Sequence, residues 1–306
     1  MRPRFEWNLG RRRLALGERT LVMGIVNVTP DSFSDGGQFF SPEQAVAHGL
    51  RLLDEGADIL DIGGESTRPG AATTATTAPV LAGAVRAEEE MARVLPVIEG
   101  LRRQRPEAIL SIDTYKSAVA RAAVRAGADI VNDVSGFTWD AEMASTLASL
   151  GCGAILMHVR GLPHQWATLP PEADPTPLVF GELATLAGRA FDAGIAHSRI
   201  VLDPGFGFGK RLDENYPLLA RLGELHALGY PLLVAISRKS CLGHTLMQRL
   251  RLETPPGPSL RDTATLATSV AAALAGAHIV RVHAVRQTIE ALAIADAIVR
   301  AGEPAP

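Results

Sequence analysis

Two loops near the start of the chain combine residue types that bind anions. Residues 27–37 and 61–70 each begin at the end of an apolar segment and are rich in Gly, Ser, Thr and Pro. This composition disfavours a helix and offers backbone N–H groups, hydroxyls and, in the second loop, the guanidinium of Arg68. The two loops therefore indicate a site for an anion, although their Thr-Pro-Asp and Arg-Pro-Gly sequences also form ordinary turns.

Other short apolar segments also end on side chains that can bind a ligand or titrate. Asp113 and Asp203 each end such a segment, and a buried carboxylate is costly unless it is paired or hydrogen-bonded. We therefore expect a cation or a ligand beside each of them, whereas the plainer alternative is that strands simply pass into polar loops. The polar residues at these ends are Asn27, Asp61, Asp113, Asn132 with Asp133, His158, Asp203, residues 237–239, and Arg281 with His283.

The elements that must position these residues follow from a repeated pattern of a helical segment, a Gly and a short apolar run. Gly56, Gly127, Gly151 and Gly276 stand at these joints, where glycine accepts the positive φ of a helix C-terminus. A continuous apolar run is typical of a strand covered on both faces. The pattern predicts strands over residues 21–27, 59–62, 109–113, 130–133, 154–157, 200–203, 232–235 and 279–283. It predicts helices over residues 42–55, 86–104, 116–126, 141–150, 178–193, 214–228, 260–275 and 285–301.

Strict alternation of predicted strands and helices favours a parallel sheet closed into a (β/α)8 TIM barrel, an α/β fold. We expect a single domain over residues 1–306, with its core at about 20–300 and residues 1–19 as an amino-terminal extension. An open doubly wound sheet is the alternative, but no Gly-x-Gly-x-x-Gly follows the first strand. In a barrel, the polar strand ends share the carboxyl-terminal face, where active sites lie.

Charge and composition exclude several classes of function. A formal net charge of −3 provides no basic footprint for a nucleic acid or an anionic membrane. We expect no secretory signal, since no apolar segment follows the basic start, and Cys152 and Cys241 fit a reducing cytoplasm without metal-site spacing. Residues 263–280 lack Asp, Glu, Lys and Arg but are rich in Ala and Thr, so we predict a buried helix and strand there instead of a membrane span.

Eight blocks with these polar ends stand in one order along the chain, at residues 27–37, 61–70, 111–113, 132–136, 156–158, 203–210, 237–240 and 281–283. In sequence and order they resemble the dihydropteroate synthase family, over about residues 20–300. The resemblance implies a homodimeric TIM barrel that acts in folate biosynthesis and is the target of sulfonamides. Such an enzyme condenses 6-hydroxymethyl-7,8-dihydropterin pyrophosphate with p-aminobenzoate, a transferase reaction that yields 7,8-dihydropteroate and pyrophosphate.

The resemblance also implies which residues hold the pterin. A carboxylate accepts the adjacent N–H and NH₂ of a pterin as it accepts a guanidinium, and Asp203 matches the residue with that task. Lys239 matches a donor to the oxo and N5 side of the ring, and Met157 is equally well explained as a core residue. The implied pterin ligands are Asp113, Asn132, Met157, Asp203, Phe208 and Lys239. The implied catalytic residues are Asp113, Asn132, Asp203, Lys239 and Arg281.

The other two ends of the implied site bind pyrophosphate and p-aminobenzoate. The implied cofactor is Mg²⁺ on Asn27, with Asp35 as a second candidate, because waters and substrate phosphates supply its other ligands. Magnesium-assisted departure of pyrophosphate before the neutral amine attacks is an SN1-like order that requires no strong base. The implied pyrophosphate ligands are Asn27, Thr67, Arg68, Arg281 and His283. The implied p-aminobenzoate residues are Phe33, Thr67, Pro69, Lys239 and Ser240.

Three departures from the family pattern keep alternatives open. Ala284 replaces the usual Asp of an Arg-x-His-Asp-Val block, Ala235 replaces a usual Gly, and residues 71–84 lengthen the second loop with an Ala/Thr segment that we expect to be mobile. These departures are the only support for a catalytically silent pterin-binding paralogue, and we expect an active synthase. A pterin-dependent methyltransferase would share the barrel but needs no pyrophosphate site. The expected partners are the small-molecule substrates and a second copy of the chain, with no nucleic acid and no membrane.

Overall fold

The strands of the sheet are short apolar runs that are buried along almost their whole length. A computed structural model describes residues 2–29, 41–67, 71, 73–75 and 84–302. A two-stranded antiparallel hairpin, β1 (Phe5–Asn8) and β2 (Arg13–Leu16), comes first. The parallel strands that follow are β3 (Leu21–Asn27), β4 (Ile59–Gly63), β5 (Ile109–Asp113), β6 (Ile130–Asp133), β7 (Gly153–Met157), β8 (Ile200–Asp203), β9 (Leu233–Val234) and β10 (Ile279–Val282).

These eight parallel strands form a nearly closed barrel, as predicted. Their spatial order is β8-β7-β6-β5-β4-β3-β10-β9, and every neighbouring pair is parallel. A parallel bridge between Leu202 and Leu232 joins the two edges of the sheet, just before β9 begins. The carboxyl ends of all eight strands therefore lie at one rim.

Helices surround the barrel and mostly match the predicted positions. Gly56, Gly127, Gly151 and Gly276 have φ values of +103°, +122°, +70° and +96°, which confirms them as the joints where a helix ends and a strand follows. The helices are α1 (Pro42–Asp54), α2 (Ala87–Gln104), α3 (Ser117–Ala126), α4 (Met143–Leu150), α5 (Thr176–Asp192), α6 (Asn215–Ala220), α7 (Ser240–Leu250), α8 (Asp262–Leu274) and α9 (Val285–Ala301).

Strict alternation is wrong at two places. The predicted helix 214–228 divides into α6 and a 3-10 segment, Leu222–Leu228, that contains the weak helix former Gly223. Helix α7 was not predicted, because it buries only Cys241, Leu242 and Gly243 and so has no apolar stripe. Residues 263–280 lie in α8, its following turn and β10, as expected, but α8 is buried on one face only. No helix in the described ranges is long and apolar enough to cross a membrane.

The amino-terminal hairpin seals one end of the barrel and was predicted only as an extension. Trp7, Leu9 and Leu16 are almost fully buried and share one apolar cluster with residues near the strand starts, such as Ile59 and Ile130. The Trp7 indole Nε1 also donates to the carbonyl of Arg199 at 2.9 Å. The hairpin therefore covers the floor of the barrel, opposite the rim that carries the polar residues.

Candidate active site

Side chains that point into the barrel alternate along each strand with those that pack on the helices. In β4, Ile59 belongs to the inner cluster, so Asp61 and Gly63 also face inward as the strand approaches the rim. Neighbouring strands are in register at this level, which brings the predicted residues of different strands side by side. The adjacent positions around the rim are Asn27, Gly63, Asp113 and Asn132.

An ion-pair network crosses the site between β10, β4 and β5. The guanidinium of Arg281 donates from Nε to Oδ2 of Asp61 at 2.5 Å and from Nη2 to Oδ2 of Asp113 at 2.5 Å. The same oxygen of Asp61 accepts from Nδ2 of Asn132 at 3.0 Å. Asp61 thus orients both Arg281 and Asn132. The sequence indicated Asp61 only as one of several polar residues at strand ends and assigned it no such role.

The ionisation of Asp113 depends on its burial and on the charges of this network. Burial raises the pKa of Asp113 to about 7; Arg281 opposes the rise, whereas the nearby Asp61 carboxylate adds to it. Asp61 itself is fully buried, and its Oδ1 atom has no hydrogen-bond partner among the described residues. Two carboxylates therefore share one guanidinium, and Asp113 can gain or lose a proton near neutral pH.

Asp203 and Lys239 occupy the neighbouring part of the rim. Asp203 is buried, and its Oδ1 accepts from the backbone N–H of Gly205 at 2.7 Å. The Lys239 ammonium donates to the carbonyl of Phe206 and lies 4.3 Å from the centre of the Phe208 ring. Burial raises the pKa of Asp203 and lowers that of Lys239 to about 8, and the charge of each residue partly offsets the shift of the other.

The loop after β8 is built around a second, more deeply buried lysine. Nζ of Lys210 lies 2.7 Å from the carbonyl of Gly205, 3.3 Å from that of Phe208 and 2.8 Å from Nδ1 of His158. Gly207 has a φ of +76°, and a Cβ there would come within 3.1 Å of the Lys239 side chain. His158 is thus part of the support beneath this loop, although its position at a strand end suggested a role in the site.

Met157 and Phe208, which were predicted to form an apolar wall, belong to an apolar cluster beside the polar groups. Both residues belong to one cluster that includes Tyr115 and Trp166, and the rings of Phe208 and Trp166 meet edge to face at 5.3 Å. Met157 stands opposite Asp203 in the register of β7 and β8. The arrangement offers a flat heterocycle an apolar face beside carboxylate acceptors.

The remaining predicted residues lie around the loop between β9 and α7 and at the end of β10. Nδ1 of His283 lies 2.9 Å from Oγ of Ser237, and Ser240 is exposed at the first turn of α7. Arg238, with a φ of +59°, donates from its guanidinium to both carboxylate oxygens of Asp262 at 2.7 and 2.8 Å. Arg238 and Ser237 were recognised only as members of a block, because their partners lie far away in the sequence.

The two loops are described only in part. Phe33, Asp35, Arg68 and Pro69 lie outside the described residues, whereas Thr67 is described and partly buried. In the lengthened second loop, Thr73 and Ala75 are 3% and 2% exposed. Thr73 and Ala75 are therefore packed against the rest of the protein, and the mobility expected for residues 71–84 stays a prediction; residues 72 and 76–83 lie outside the described part.

The chemistry of Asn27 is compatible with the magnesium ion predicted there. No group of three or more His, Cys, Asp or Glu side chains within the described ranges could hold a metal ion. Asn27, at the end of β3, offers one amide oxygen at the rim. A single protein oxygen fits Mg²⁺, which keeps several waters and takes further ligands from phosphates.

Both substituted positions have a definite place in the fold. Ala284 is the residue immediately before α9, at the N-cap position, and no side chain caps that helix. Ala235 is buried in the inner cluster of the barrel, where it contributes one more methyl group than glycine would. The first turn of α9 thus starts without a side-chain cap, and neither Ala284 nor Ala235 takes the place of a residue of the ion-pair network.

Comparison with known proteins agrees with this geometry. A family model described as pterin binding enzyme matches residues 23–283. The dihydropteroate synthase of Escherichia coli strain K12 is 44% identical over 282 residues, which cover 92% of this chain and 93% of that protein.

Solved structures are similar over nearly the whole chain. Xanthomonas albilineans dihydropteroate synthase with 4-aminobenzoic acid is 43% identical, with a TM-score of 0.83 and coverage of 99% of this chain and 100% of that one. Its complex with 7,8-dihydropteroate gives a TM-score of 0.81 at 40% identity, with the same coverage. Yersinia pestis dihydropteroate synthase with a sulfonamide drug is 42% identical, with a TM-score of 0.81 and coverage of 94% and 97%.

Proposed function

Because this chain belongs to the pterin-binding enzyme family and is a dihydropteroate synthase of folate biosynthesis, we propose how its own residues divide the work between the two substrates. The reaction breaks the C–O bond between the pterin methylene and pyrophosphate and forms a C–N bond to the amine of p-aminobenzoate. The observation that carries the assignment is the Asp61–Arg281–Asp113 network, which sets a cation beside pterin-type acceptors at one rim.

The pterin ring is held by acceptors and donors at the ends of four strands and loops. Asp203 accepts the paired N–H and NH₂ donors, and Asp113 and Asn132 complete the hydrogen bonds of the ring. Lys239 donates to the oxo and N5 side, while Met157 and Phe208 cover the ring faces. This assignment is supported by the register of Met157 with Asp203 and by the cluster of Phe208 with Met157.

The pyrophosphate leaves toward the cationic side of the site. Arg281 neutralises charge on the departing oxygens, and His283 donates a hydrogen bond to them. Neither hydrogen bond of Arg281 to a carboxylate uses Nη1. The Thr67 hydroxyl donates a hydrogen bond to the pyrophosphate. Arg68 remains a pyrophosphate ligand predicted from the sequence. When bound through Asn27, Mg²⁺ supplies further positive charge to the pyrophosphate oxygens.

The order of bond changes is SN1-like. Heterolysis of the C–O bond sends the electron pair to pyrophosphate and leaves a methylene cation delocalised into the dihydropterin. The neutral amine then attacks this carbon and loses its proton afterwards, so that no strong base is required. Apolar cover from Met157 and Phe208 limits capture of the cation by water.

The p-aminobenzoate lies between the second loop and the start of α7. Thr67, Lys239 and Ser240 contact it, and Phe33 and Pro69 retain their predicted roles. The exposed position of Ser240 next to the buried part of Lys239 supports an open entrance at this point. A sulfonamide is expected to compete for the same place.

Release of pyrophosphate tests the assignment directly. With both substrates and Mg²⁺, the protein should form one pyrophosphate for each 7,8-dihydropteroate. Binding of the pterin without any release would indicate the silent paralogue. The bond order is tested with substrate that carries ¹⁸O in the C–O–P bridge: movement of the label to non-bridging positions without p-aminobenzoate supports early C–O cleavage, and its absence supports direct displacement.

Two further features of the protein are proposed from its surface and its cysteines. Leu274 of α8 and Ile294 and Ile298 of α9 are 49%, 65% and 56% exposed, and these helices are neighbours. We assign this face to a homodimer contact, to be checked by sedimentation of an Ile294→Glu, Ile298→Glu variant.

Cys152 and Cys241 are buried and unpaired, in keeping with a cytoplasmic location.

A further inference from the structure

A buried ionic cluster lies next to the proposed site and is not used by the proposed reaction. Nζ of Lys116 donates to Oε2 of Glu65 and, at 2.5 Å, to Oε2 of Glu90. All three side chains are at most 7% exposed. Burying three charges is costly, and a purely apolar contact would serve packing equally well, so the position of these groups calls for a reason beyond stability.

Tyr115 joins the same cluster to a later part of the second loop. Its hydroxyl donates to Oε1 of Glu65 at 3.1 Å and accepts from the backbone N–H of Thr74 at 2.9 Å. The Lys116 ammonium lies 4.5 Å from the centre of the Tyr115 ring, and the same ring meets Trp139 edge to face at 5.1 Å. Residues nine positions apart in the loop, Glu65 and Thr74, are therefore tied to one hydroxyl group.

The residues that make these ties have little freedom to move. Residues 114–116 form the short link between the end of β5 and the start of α3. Thr114 Oγ1 accepts from the backbone N–H of Lys116 at 3.2 Å, and Asp140 accepts from the backbone N–H of Ser117 at 2.8 Å. The link begins directly after Asp113, so the loop is tied to the strand end that also carries a proposed pterin ligand.

We propose that Tyr115 and Lys116 are positioning residues for the second loop, which they hold at Glu65 and Thr74 so that Thr67 faces the second substrate. The inference rests on the proposed function, because it takes Thr67 as a contact of p-aminobenzoate. Thr67 follows Glu65 by two residues, so the orientation of Glu65 sets where Thr67 lies. Asp113 is held independently by Arg281, and loosening the loop leaves the pterin acceptors in place.

The charge balance of the cluster supports an ionic tie over a neutral one. One ammonium faces two carboxylates, and burial raises the pKa of Glu65 although Lys116 opposes the rise. Those same carboxylates hold the pKa of Lys116 above its ordinary value, so the ammonium remains charged. The Lys116 ammonium donates to Glu65 in the second loop and to Glu90 in α2. One charged group therefore holds both ends of the segment that joins β4 to α2.

The decisive variant is Tyr115→Phe, which keeps the ring and its contact with Trp139 but removes the hydrogen bonds of the hydroxyl to Glu65 and to the backbone N–H and Oγ1 of Thr74. The KM for p-aminobenzoate should rise about three- to tenfold, the effect of one or two hydrogen bonds. Affinity for 6-hydroxymethyl-7,8-dihydropterin, which lacks pyrophosphate and so does not reach Thr67, should change less than about twofold. The matched control is Tyr230→Phe, since Tyr230 lies in the segment before β9, at the end of the barrel opposite the site, and stacks on His197.

Hydrogen exchange provides a readout that does not depend on turnover. The amide of Thr74 should exchange faster in Tyr115→Phe than in the unaltered protein, and Lys116→Met should extend this to the amides near Glu65. An unchanged KM for p-aminobenzoate with unchanged exchange would overturn the inference, and so would an equal loss of affinity for both ligands. Failure of the unaltered protein to release pyrophosphate would instead refute the proposed function. The hydrogen-exchange result would then decide whether Tyr115 and Lys116 hold the second loop.

Discussion

Nη2 of Arg281 lies 2.5 Å from Oδ2 of Asp113, so the cation proposed for the pyrophosphate end and an acid proposed for the pterin end of the same substrate form an ion pair. The pair makes the two ends of the site interdependent. Any substrate that binds Arg281 also changes the electric field at Asp113. Removal of one partner therefore has consequences for both ends.

Arg281→Ala should lower kcat about 100-fold or more, because it removes a donor aimed at charge that develops on the leaving group. Arg281→Lys should recover part of the rate, since one ammonium supplies charge but cannot donate to Asp61 and Asp113 as the planar guanidinium does. Steady-state kinetics measure both effects. The control is Arg125→Ala on the exposed face of α3, and a full rate in Arg281→Ala would exclude the proposed role.

Asp203→Asn should weaken pterin binding about 10- to 100-fold, because an amide cannot accept from two adjacent donors and loses the charge that strengthens each bond. Isothermal titration with 6-hydroxymethyl-7,8-dihydropterin measures the change. Asp192→Asn, at the exposed end of α5, is the matched control for a lost carboxylate. Equal affinities in the Asp203 variant and the unaltered protein would remove Asp203 from the pocket.

Affinity for the pterin ring should depend on pH within a narrow range. Burial raises the pKa of Asp113 to about 7 and lowers the pKa of Lys239 to about 8. Binding uses Asp113 as an ionised acceptor and Lys239 as a protonated donor, so affinity should increase as the pH passes about 7 and decrease as it passes about 8. The unphosphorylated pterin is the appropriate ligand for this titration, because it carries no titrating phosphate.

The sign of the stability effect of Asp113 is opposite to that of its binding effect. Its folded pKa lies above its ordinary value of 3.8, so the native state holds the proton more tightly than the unfolded chain. The contribution of this proton to the free energy of unfolding is complete below the ordinary pKa and is lost as the pH increases through about 7.

In the pH profile of pterin affinity, Asp113→Asn should remove the increase near pH 7. An unchanged increase would assign it to another group.

Ala284→Asp should raise the free energy of unfolding by about 1 kcal/mol, because it supplies a cap and a negative charge to the uncapped first turn of α9. Chemical denaturation measures the difference. Ala284→Asn separates the cap from the charge, and it should retain most of the gain. A variant no more stable than the unaltered protein would show that the backbone before Val285 cannot accept a side-chain cap.

The barrel was predictable because its signals are local. Glycine at the ends of helices and the apolar run that follows each one are visible within ten residues, and Gly56, Gly127 and Gly276 confirm this in detail. The hairpin and α7 were missed for a physical reason. Two four-residue strands and a helix with few buried residues have too little apolar pattern to be recognised without their tertiary partners.

The site was predictable as a set of residues but not as a set of contacts. Asp113, Asn132 and Asp203 were expected at strand ends, and each lies there. The roles of Asp61 and Tyr115 depend on partners more than forty residues away, Arg281 and Asn132 for one and Glu65 and Thr74 for the other. No spacing in the sequence encodes such pairs, because they arise from the register between strands and from the packing of loops.

The hairpin that closes the floor of the barrel has a practical consequence for anyone who shortens the gene. Without Trp7, Leu9 and Leu16, the apolar interior of the barrel, lined by Met23, Ile59 and other inward side chains, would be exposed to water at the end remote from the substrates. Such a protein would aggregate before its active site was disrupted. An expression clone should therefore retain the whole stretch from Phe5 onward, even though none of those opening residues meets a substrate.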